Sequence, residues 1–306
     1  MIIHGVDFNV RQEDFVKFYE HGHIYKNEVT SKLYTSVTTY LGNYKADVNW
    51  DYWVFYKALE KLCQERGDMT PLEGLKAYVR EKNKEVSQYE AQSIGKSVFL
   101  ERNRYYSKGT LIKAQAEMQE IWDNNKIKGQ ERGTAWHKKE EEKALYIDKV
   151  FYDGEFVKLS GDYSKLQDKK IKLHRTLKDG SYVELLMSHP LLELGGQADQ
   201  VIIQSLKGKK YMDIGDWKTD KSIDMYNKYK TMMKEPISHL DDCNYVKYCL
   251  QLSLYMWIGE CHGFTPRNMS IAHVRNGRIK PYKIPYLKEE INELMWLRYI
   301  ELQRAA

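Results

Sequence analysis

No stretch of this chain approaches the ~20 consecutive apolar residues that a membrane-crossing helix needs. The mean hydropathy is −0.67, which excludes a helical membrane protein. Cysteine is scarce: Cys63, Cys243, Cys249 and Cys261 are the only four. None forms a C-x-x-C pair, so a zinc ribbon, a thioredoxin-like motif and a disulfide scaffold are excluded, and a reducing intracellular compartment is expected. Proline is equally rare, at six residues, and there is no Pro-rich linker, low-complexity tract or internal repeat, which leaves punctuation to glycine and polar clusters. The opening residues, Met1-Ile2-Ile3-His4-Gly5-Val6-Asp7, carry neither a basic region followed by an apolar stretch nor an Arg/Ser-rich leader. No secretion or import signal is read, and a cytoplasmic location is expected.

What remains is a chain of 306 residues with 42% hydrophobic and 30% charged side chains. That is enough for one large domain, or for a core domain with an accessory one. The net charge of +5 permits a polyanionic partner without requiring it.

The two halves differ in pattern. Phe15 to Tyr19 is expected as a short helix, His23 to Val29 and Lys32 to Thr35 as a small hairpin, and Ser36 as the N-cap of a helix starting at Val37. Residues 50–65 read as an aromatic-rich helix. From Pro71 to about Leu145, Lys, Glu, Gln and Ala dominate, all good helix formers, with breaks expected near Gly109 and at Lys128 to Gly133. Residues 1–125 are thus expected as a largely helical accessory region, arching over the site from about residue 36 and admitting single strands. Beyond it, Tyr182 to Met187, Gly196 to Gln204 and Lys210 to Lys218 read as strands, the last two joined at Lys207-Gly208-Lys209 as an antiparallel hairpin. Asn244 to Gly259 reads as a nearly all-apolar helix. Met269 to Val274 and Arg278 to Ile284 flank the two-residue turn Asn276-Gly277, and Leu287 to Gln303 closes the chain as an amphipathic helix. Strands alternating with helices predict an α/β core with a mixed sheet over residues 126–306.

The chemistry-bearing residues lie in that second half. Residues two apart on a strand share a face, so Asp216 and Lys218 point the same way, and Asp199 sits on the preceding strand. Two carboxylates about 4 Å apart repel by roughly 4 kcal/mol at an effective dielectric of ~20, which a proton or a cation must relieve. All-oxygen ligands suit Mg²⁺ or Mn²⁺, and no cysteine lies beside these acids to suggest zinc. An isolated Asp-x-Lys is common by chance. Two further elements add to it. His137 and Glu141 are four apart on a helix and share a face, and a neutral imidazole is a metal ligand. Gln251 and Tyr255 share a face of the apolar helix, where an unpaired amide would cost ~1–3 kcal/mol.

In order, Gly133-x-x-x-His137, Gly195-Gly196-Gln197-Ala198-Asp199, Asp216-Trp217-Lys218-Thr219 and Gln251-x-x-x-Tyr255 resemble the RecB-like branch of the PD-(D/E)XK nuclease superfamily. Tyr34-Thr35-Ser36-Val37-Thr38 resembles a Ser-Val-Thr element that precedes the nuclease core in phage exonucleases and in the mitochondrial genome maintenance exonuclease. The match is tightest over residues 131–260; residues 60–125 match nothing. Ala198 stands where the superfamily's name has proline. The resemblance implies a restriction-endonuclease-like core, a central mixed sheet flanked by helices. It further implies one or two Mg²⁺ or Mn²⁺ ions held by His137, Asp199, Asp216 and the backbone carbonyl of Trp217, with Glu141 joining them. Lys218 would orient the attacking water or stabilise the phosphorane, and Gln251 and Tyr255 would position the site. Some relatives carry an iron–sulfur cluster with three cysteines clustered after the Gln/Tyr helix; here only Cys261 follows Tyr255, and no cluster is expected.

The implied activity is a DNA exonuclease acting on single strands or strand ends in replication, recombination or repair. A structure-specific or nicking endonuclease on the same core and a catalytically silent nucleic-acid-binding module are the alternatives. Lys221, Tyr226, Lys228, Tyr229 and Lys230, with Ser36, are candidates for the DNA contact, because cations bind phosphates and aromatics stack on unpaired bases. A second basic stretch includes Lys169, Lys170, Lys172, His174 and Arg175. Trp217 is expected to face the core on the opposite side of its strand.

Overall fold

The computed structural model describes residues 1–103, 109–144, 149–152, 155–158, 171–275 and 278–305; the side chains of His137 and of residues 140–158 lie outside the description. The chain divides into two compact units, Met1–Ala46 with Gly133–Ala306, and Asp47–Arg132.

In the first unit the chain opens with a two-stranded ribbon, β1 (Ile2–Ile3) and β2 (Val6–Asp7), followed by an antiparallel meander of β3 (Val16–Tyr19), β4 (Ile24–Asn27) and β5 (Leu33–Ser36). The helix expected at residues 15–19 is therefore a strand. Val16, Phe18 and Tyr19 are β-branched or aromatic, their exposure alternates along the segment, and Val16 packs with Tyr25 and Tyr34, so packing on a pleated surface decides the conformation. Ser36 ends β5 and caps α1 (Val37–Gly42), accepting the Thr39 amide at 3.0 Å, as the residue pattern predicts.

The second unit holds α2 (Trp50–Arg66), α3 (Thr70–Lys82), α4 (Gln88–Arg102) and the first part of α5 (Thr110–Ala144). Asn49 caps α2, Gly67 ends it in the left-handed conformation, and Ser87 and Glu90 form a capping box on α4. Phe55, Leu59, Leu72, Phe99 and Leu111 form its core. Of the α2 aromatics Tyr52, Phe55 and Tyr56 are buried, but Trp50 is exposed and meets Trp122 edge to face at 5.7 Å. No break occurs at residues 128–133. Gly129 and Gly133 each cost about 1 kcal/mol against alanine, and the Lys, Gln, Glu and Arg around them carry the helix through. The unit boundaries fall at 46/47 and 132/133, and the first 46 residues are strand-rich and belong to the unit that holds the sheet.

After α5 come the hairpin β6 (Lys149–Tyr152) and β7 (Glu155–Lys158), then β8 (Gly180–His189), β9 (Leu194–Leu206), β10 (Lys209–Lys218), α6 (Asn244–Cys261), β11 (Thr265–Arg275), β12 (Arg278–Lys283) and α7 (Lys288–Ala305). The turn at Asn276-Gly277 lies outside the described residues, but β11 and β12 pair antiparallel up to it, Arg275 opposite Arg278. Among the described residues the main sheet has eight strands in the order β12-β11-β10-β9-β5-β4-β3, with β8 also on β9. The β10–β11 and β5–β9 pairs are parallel, the others antiparallel. This is a mixed α/β sheet, as the alternation of elements predicts. No helix among the described residues is long and apolar enough to cross a membrane.

Helix α6 lies on one face of this sheet, buried by β8, β10, β11, α1 and α7. That explains its apolar composition on every side. Its Trp257 is fully buried, with the indole N–H donating to Asn292 at 2.9 Å. At Gly259 a Cβ would fall 1.8 Å from the end of Met212, so any larger residue would have to displace the Met212 side chain.

Candidate functional site

The site begins where β9 runs short of neighbours. One edge of β9 pairs with β8 from Leu194 to Ile203. The other edge pairs with β5 at Leu194 and Gly195, and with β10 only from Gln200 onward. Gly196 to Asp199 lie in the gap between β5 and β10, where the sheet forks. There the Asp199 side chain substitutes for a ladder bond, its Oδ2 accepting the Trp217 amide at 2.9 Å. Ser36 pairs with Gly195, so the Ser-Val-Thr element adjoins the Gly195–Asp199 segment, although 158 positions separate Ser36 from Leu194 in the sequence.

Beside the fork, β10 presents Asp216 and Lys218 on one face, with Nζ 2.7 Å from Oδ2. Asp199 and Asp216 are 9% and 5% exposed. From α6, Gln251 Oε1 lies 3.5 Å from Lys218 Nζ. Tyr255 is buried one helical turn further on, and its hydroxyl occupies the space where a Cβ on Gly196 would stand, 2.5 Å away. The sequence-predicted Asp199, Asp216, Lys218, Gln251 and Tyr255 thus come together at one place.

Burial opposes the charge on Lys218, but Asp216, Asp199 and Asp220 outweigh it, and the pKa of the ammonium is raised. It is a fixed cation at neutral pH. Burial first, then Tyr25 and the carboxylates of Asp216 and Asp199, push the Tyr255 hydroxyl far above the usual phenol range, so it stays neutral and acts through hydrogen bonds.

Three residues not singled out in the sequence complete the surroundings. The Tyr248 ring lies 4.7 Å from Lys218 Nζ, and its hydroxyl donates to Asp220. His273 hydrogen-bonds the Asp220 carbonyl through Nε2 at 2.8 Å. The signal for Tyr248 was present: Tyr248, Gln251 and Tyr255 follow the i, i+3, i+7 spacing of one helix face. Asp220 and His273 have no comparable sequence signal, because their positions depend on how β10 and β11 align.

The remaining candidates separate clearly. Trp217 packs on the opposite face of β10 with Ala272, Val274 and Trp136, a core position, as expected. Trp136 and Gly133 bring α5 alongside the end of β10, where Gly133 faces Thr219. The side chains of His137 and Glu141 lie outside those described. Ser36 uses its hydroxyl on Thr39 and Thr38, a capping role. Tyr226 and Tyr229 are 72% and 57% exposed, and together with Lys221 and Lys228 they line a cleft of ≈ 710 Å³; Lys230 is exposed in the same loop. Of the second basic stretch, Lys169 and Lys170 lie outside the described residues. Lys172 is engaged with Glu13 at 3.4 Å and with the Asp14 carbonyl. The four cysteines are buried free thiols, and burial pushes Cys249 up to about 12, which makes it unreactive.

Among the described residues no three His, Cys, Asp or Glu side chains form a ready-made metal cage. The described donors are nonetheless of the right kind. Asp199 and Asp216 offer hard oxygens, and two carboxylates against the one ammonium of Lys218 leave an excess negative charge in this trio. A divalent ion fits that chemistry.

No family model matches this chain, and no curated protein matches it. A solved structure described as "Crystal structure of SSO0001" aligns with 66% of this chain and 70% of its own length, at 14% identity and a TM-score of 0.26. A likeness of that size leaves both family and function to be argued from the residues.

Proposed function

We propose that this protein is a Mg²⁺- or Mn²⁺-dependent deoxyribonuclease of the RecB-like PD-(D/E)XK class, an exonuclease acting on single strands or free strand ends. The observation that carries this reading is the meeting of Asp199, Asp216 and Lys218 at the fork of the sheet, closed over by Gln251 and Tyr255. Four separate sequence segments resemble that class, and three of them, those carrying Asp199, Asp216 and Gln251, supply these side chains.

Asp199, Asp216 and the Trp217 carbonyl would hold the ion, with His137 and Glu141 assigned to it by resemblance. Its chemistry when bound is to acidify a water and to screen phosphate charge. The protein's own groups do the rest. Lys218 stays protonated, so it serves as a positive charge and hydrogen-bond donor toward the oxygens that gain charge during attack on phosphorus. Asp216 and Gln251 hold the ammonium in place. Tyr248 covers it with the negative face of an aromatic ring. Tyr255 stays neutral and packs against Gly196, which fixes the distance between α6 and β9.

The test is digestion of end-labelled linear DNA and of closed circular single-stranded DNA, with Mg²⁺, Mn²⁺ or EDTA. The reading expects metal-dependent loss of the linear substrates, single strands ahead of blunt duplex, and survival of the circle. Cutting of the circle would replace the exonuclease with an endonuclease on the same site. Intact DNA under every condition would overturn the nuclease reading.

A further inference from the structure

The hairpin β11–β12 carries an arrangement that the site does not explain. Directly opposite residues of an antiparallel pair share a face, as do residues two apart. His273 lies opposite Lys280, and Arg275 opposite Arg278. Four basic side chains therefore stand together on one face, and like charges directly opposite destabilise a hairpin. They line a cleft of ≈ 680 Å³ with Tyr282, Ser222 and Ile223, and no carboxylate among the described residues lines it. Lys280 Nζ stands 4.8 Å from the Tyr282 ring centre. Arg275, Arg278 and Lys280 are exposed, whereas a hairpin selected for stability alone would mix in acidic partners.

The placement matters as much as the charge. In the parallel β10–β11 pair Lys218 lies opposite His273, so the basic face continues from the Lys218 end of β10 outward along β11. Ser222 and Ile223 line both this cleft and the neighbouring one that displays Tyr226 and Tyr229. Exposed aromatics thus stand on one side of Ser222–Ile223 and exposed cations on the other. That combination suits a single nucleic-acid strand, whose bases stack and whose phosphates need counter-charge. A duplex hides its bases, and the Asp and Glu side chains of an acidic peptide carry charge without rings to stack.

We propose that the β11–β12 face is a phosphate-binding track that holds a single strand on its way to or from the Asp216–Lys218 site. The track rests on nucleic acid being the substrate, but it is separable from catalysis. The test is binding of fluorescein-labelled oligo(dT) in EDTA, over a range of salt, by the wild type and by Arg275→Gln/Arg278→Gln/Lys280→Gln. A charge-matched control, Lys207→Gln/Lys209→Gln/Arg304→Gln, removes exposed cations elsewhere. Each phosphate contact on a single strand contributes about 0.7 to the slope of log affinity against log salt, so loss of three should lower the slope by about 2. The track variant should also bind about tenfold or more weakly at moderate salt, while the control stays near wild type. Unchanged affinity and slope in the track variant, or an equal loss in the control, would overturn the proposal. So would displacement of oligo(dT) by polyglutamate as readily as by unlabelled strand. A wild type that binds with the expected salt dependence but cuts nothing would remove the nuclease reading and leave the track standing.

Discussion

The side chain on which the chemistry turns is Lys218. Its ammonium touches Asp216, lies near Gln251 and sits over Tyr248, and each contact limits where it can point. Removing one preorganised electrostatic group of this kind typically costs 10²–10³ in rate. Lys218→Ala should therefore cut DNA about 10²–10³-fold more slowly while binding it nearly as well, as gel shifts in Ca²⁺ beside timed digests would show. Equal cleavage rates would remove Lys218 from the mechanism. Gly196 gives a different residue-scale test. A Cβ there would meet the Tyr255 hydroxyl at 2.5 Å, and overpacking of a tight core typically costs 1–3 kcal/mol. Gly196→Ala should lower the unfolding free energy from urea melts by that order and slow cleavage, because Tyr255 must move; an unchanged unfolding free energy would mean the contact yields freely.

At the scale of elements, β10 is held to β11 on the face away from Lys218. Asp213 is almost fully buried, and Arg267 Nε donates to it at 2.8 and 3.0 Å, with the Asn268 amide at 3.1 Å. Removing one partner of a buried pair leaves an uncompensated charge, so Arg267→Ala should destabilise by about 3 kcal/mol. The same variant should keep its cleavage rate per folded molecule, since the pair does not touch the site. Denaturant melts paired with active-site titration would separate the two. Much of this architecture is legible in the sequence. The β9–β10 hairpin follows from its alternation and its turn glycine, α6 from its length and apolar run, and Ser36 as a cap from the helix that follows it. What is not legible depends on distant pairing. Nothing local in Val16-Lys17-Phe18-Tyr19 announces β4 as its partner, and nothing in Gly196 to Asp199 announces that β5 and β10 stop on either side of it. Strand and helix periods place the five site residues of β9, β10 and α6 on shared faces, and the resemblance of their ordered motifs to the RecB-like class singled them out. Asp220 and His273 could not be named in this way, because only the β10–β11 register brings them near.

For the whole molecule, two buried histidines, His189 and His262, link folding to pH. Burial pushes His189 down to about 4, against the Phe8 carbonyl that holds its Nε2–H at 2.9 Å. Burial likewise lowers His262. Both are neutral in the folded state, and the unfolded chain takes up their protons first. The contribution of each is complete above the unfolded value of about 6.5 and is lost as pH falls below it, for His189 down toward 4. For His189 alone the loss should reach about 2 kcal/mol by pH 5. His189→Gln, which keeps a donor for Phe8, should flatten the stability difference between pH 7 and pH 5 by that order. A variant as acid-sensitive as the wild type would show that the loss arises elsewhere.

Most direct for the account as a whole is isothermal titration of Mn²⁺ into the wild type and into Asp216→Ala, with circular dichroism to confirm that both are folded. The account predicts saturable binding by the wild type and its loss in the variant. No binding by the wild type, or the same binding by both, would contradict a metal-dependent site at Asp199 and Asp216.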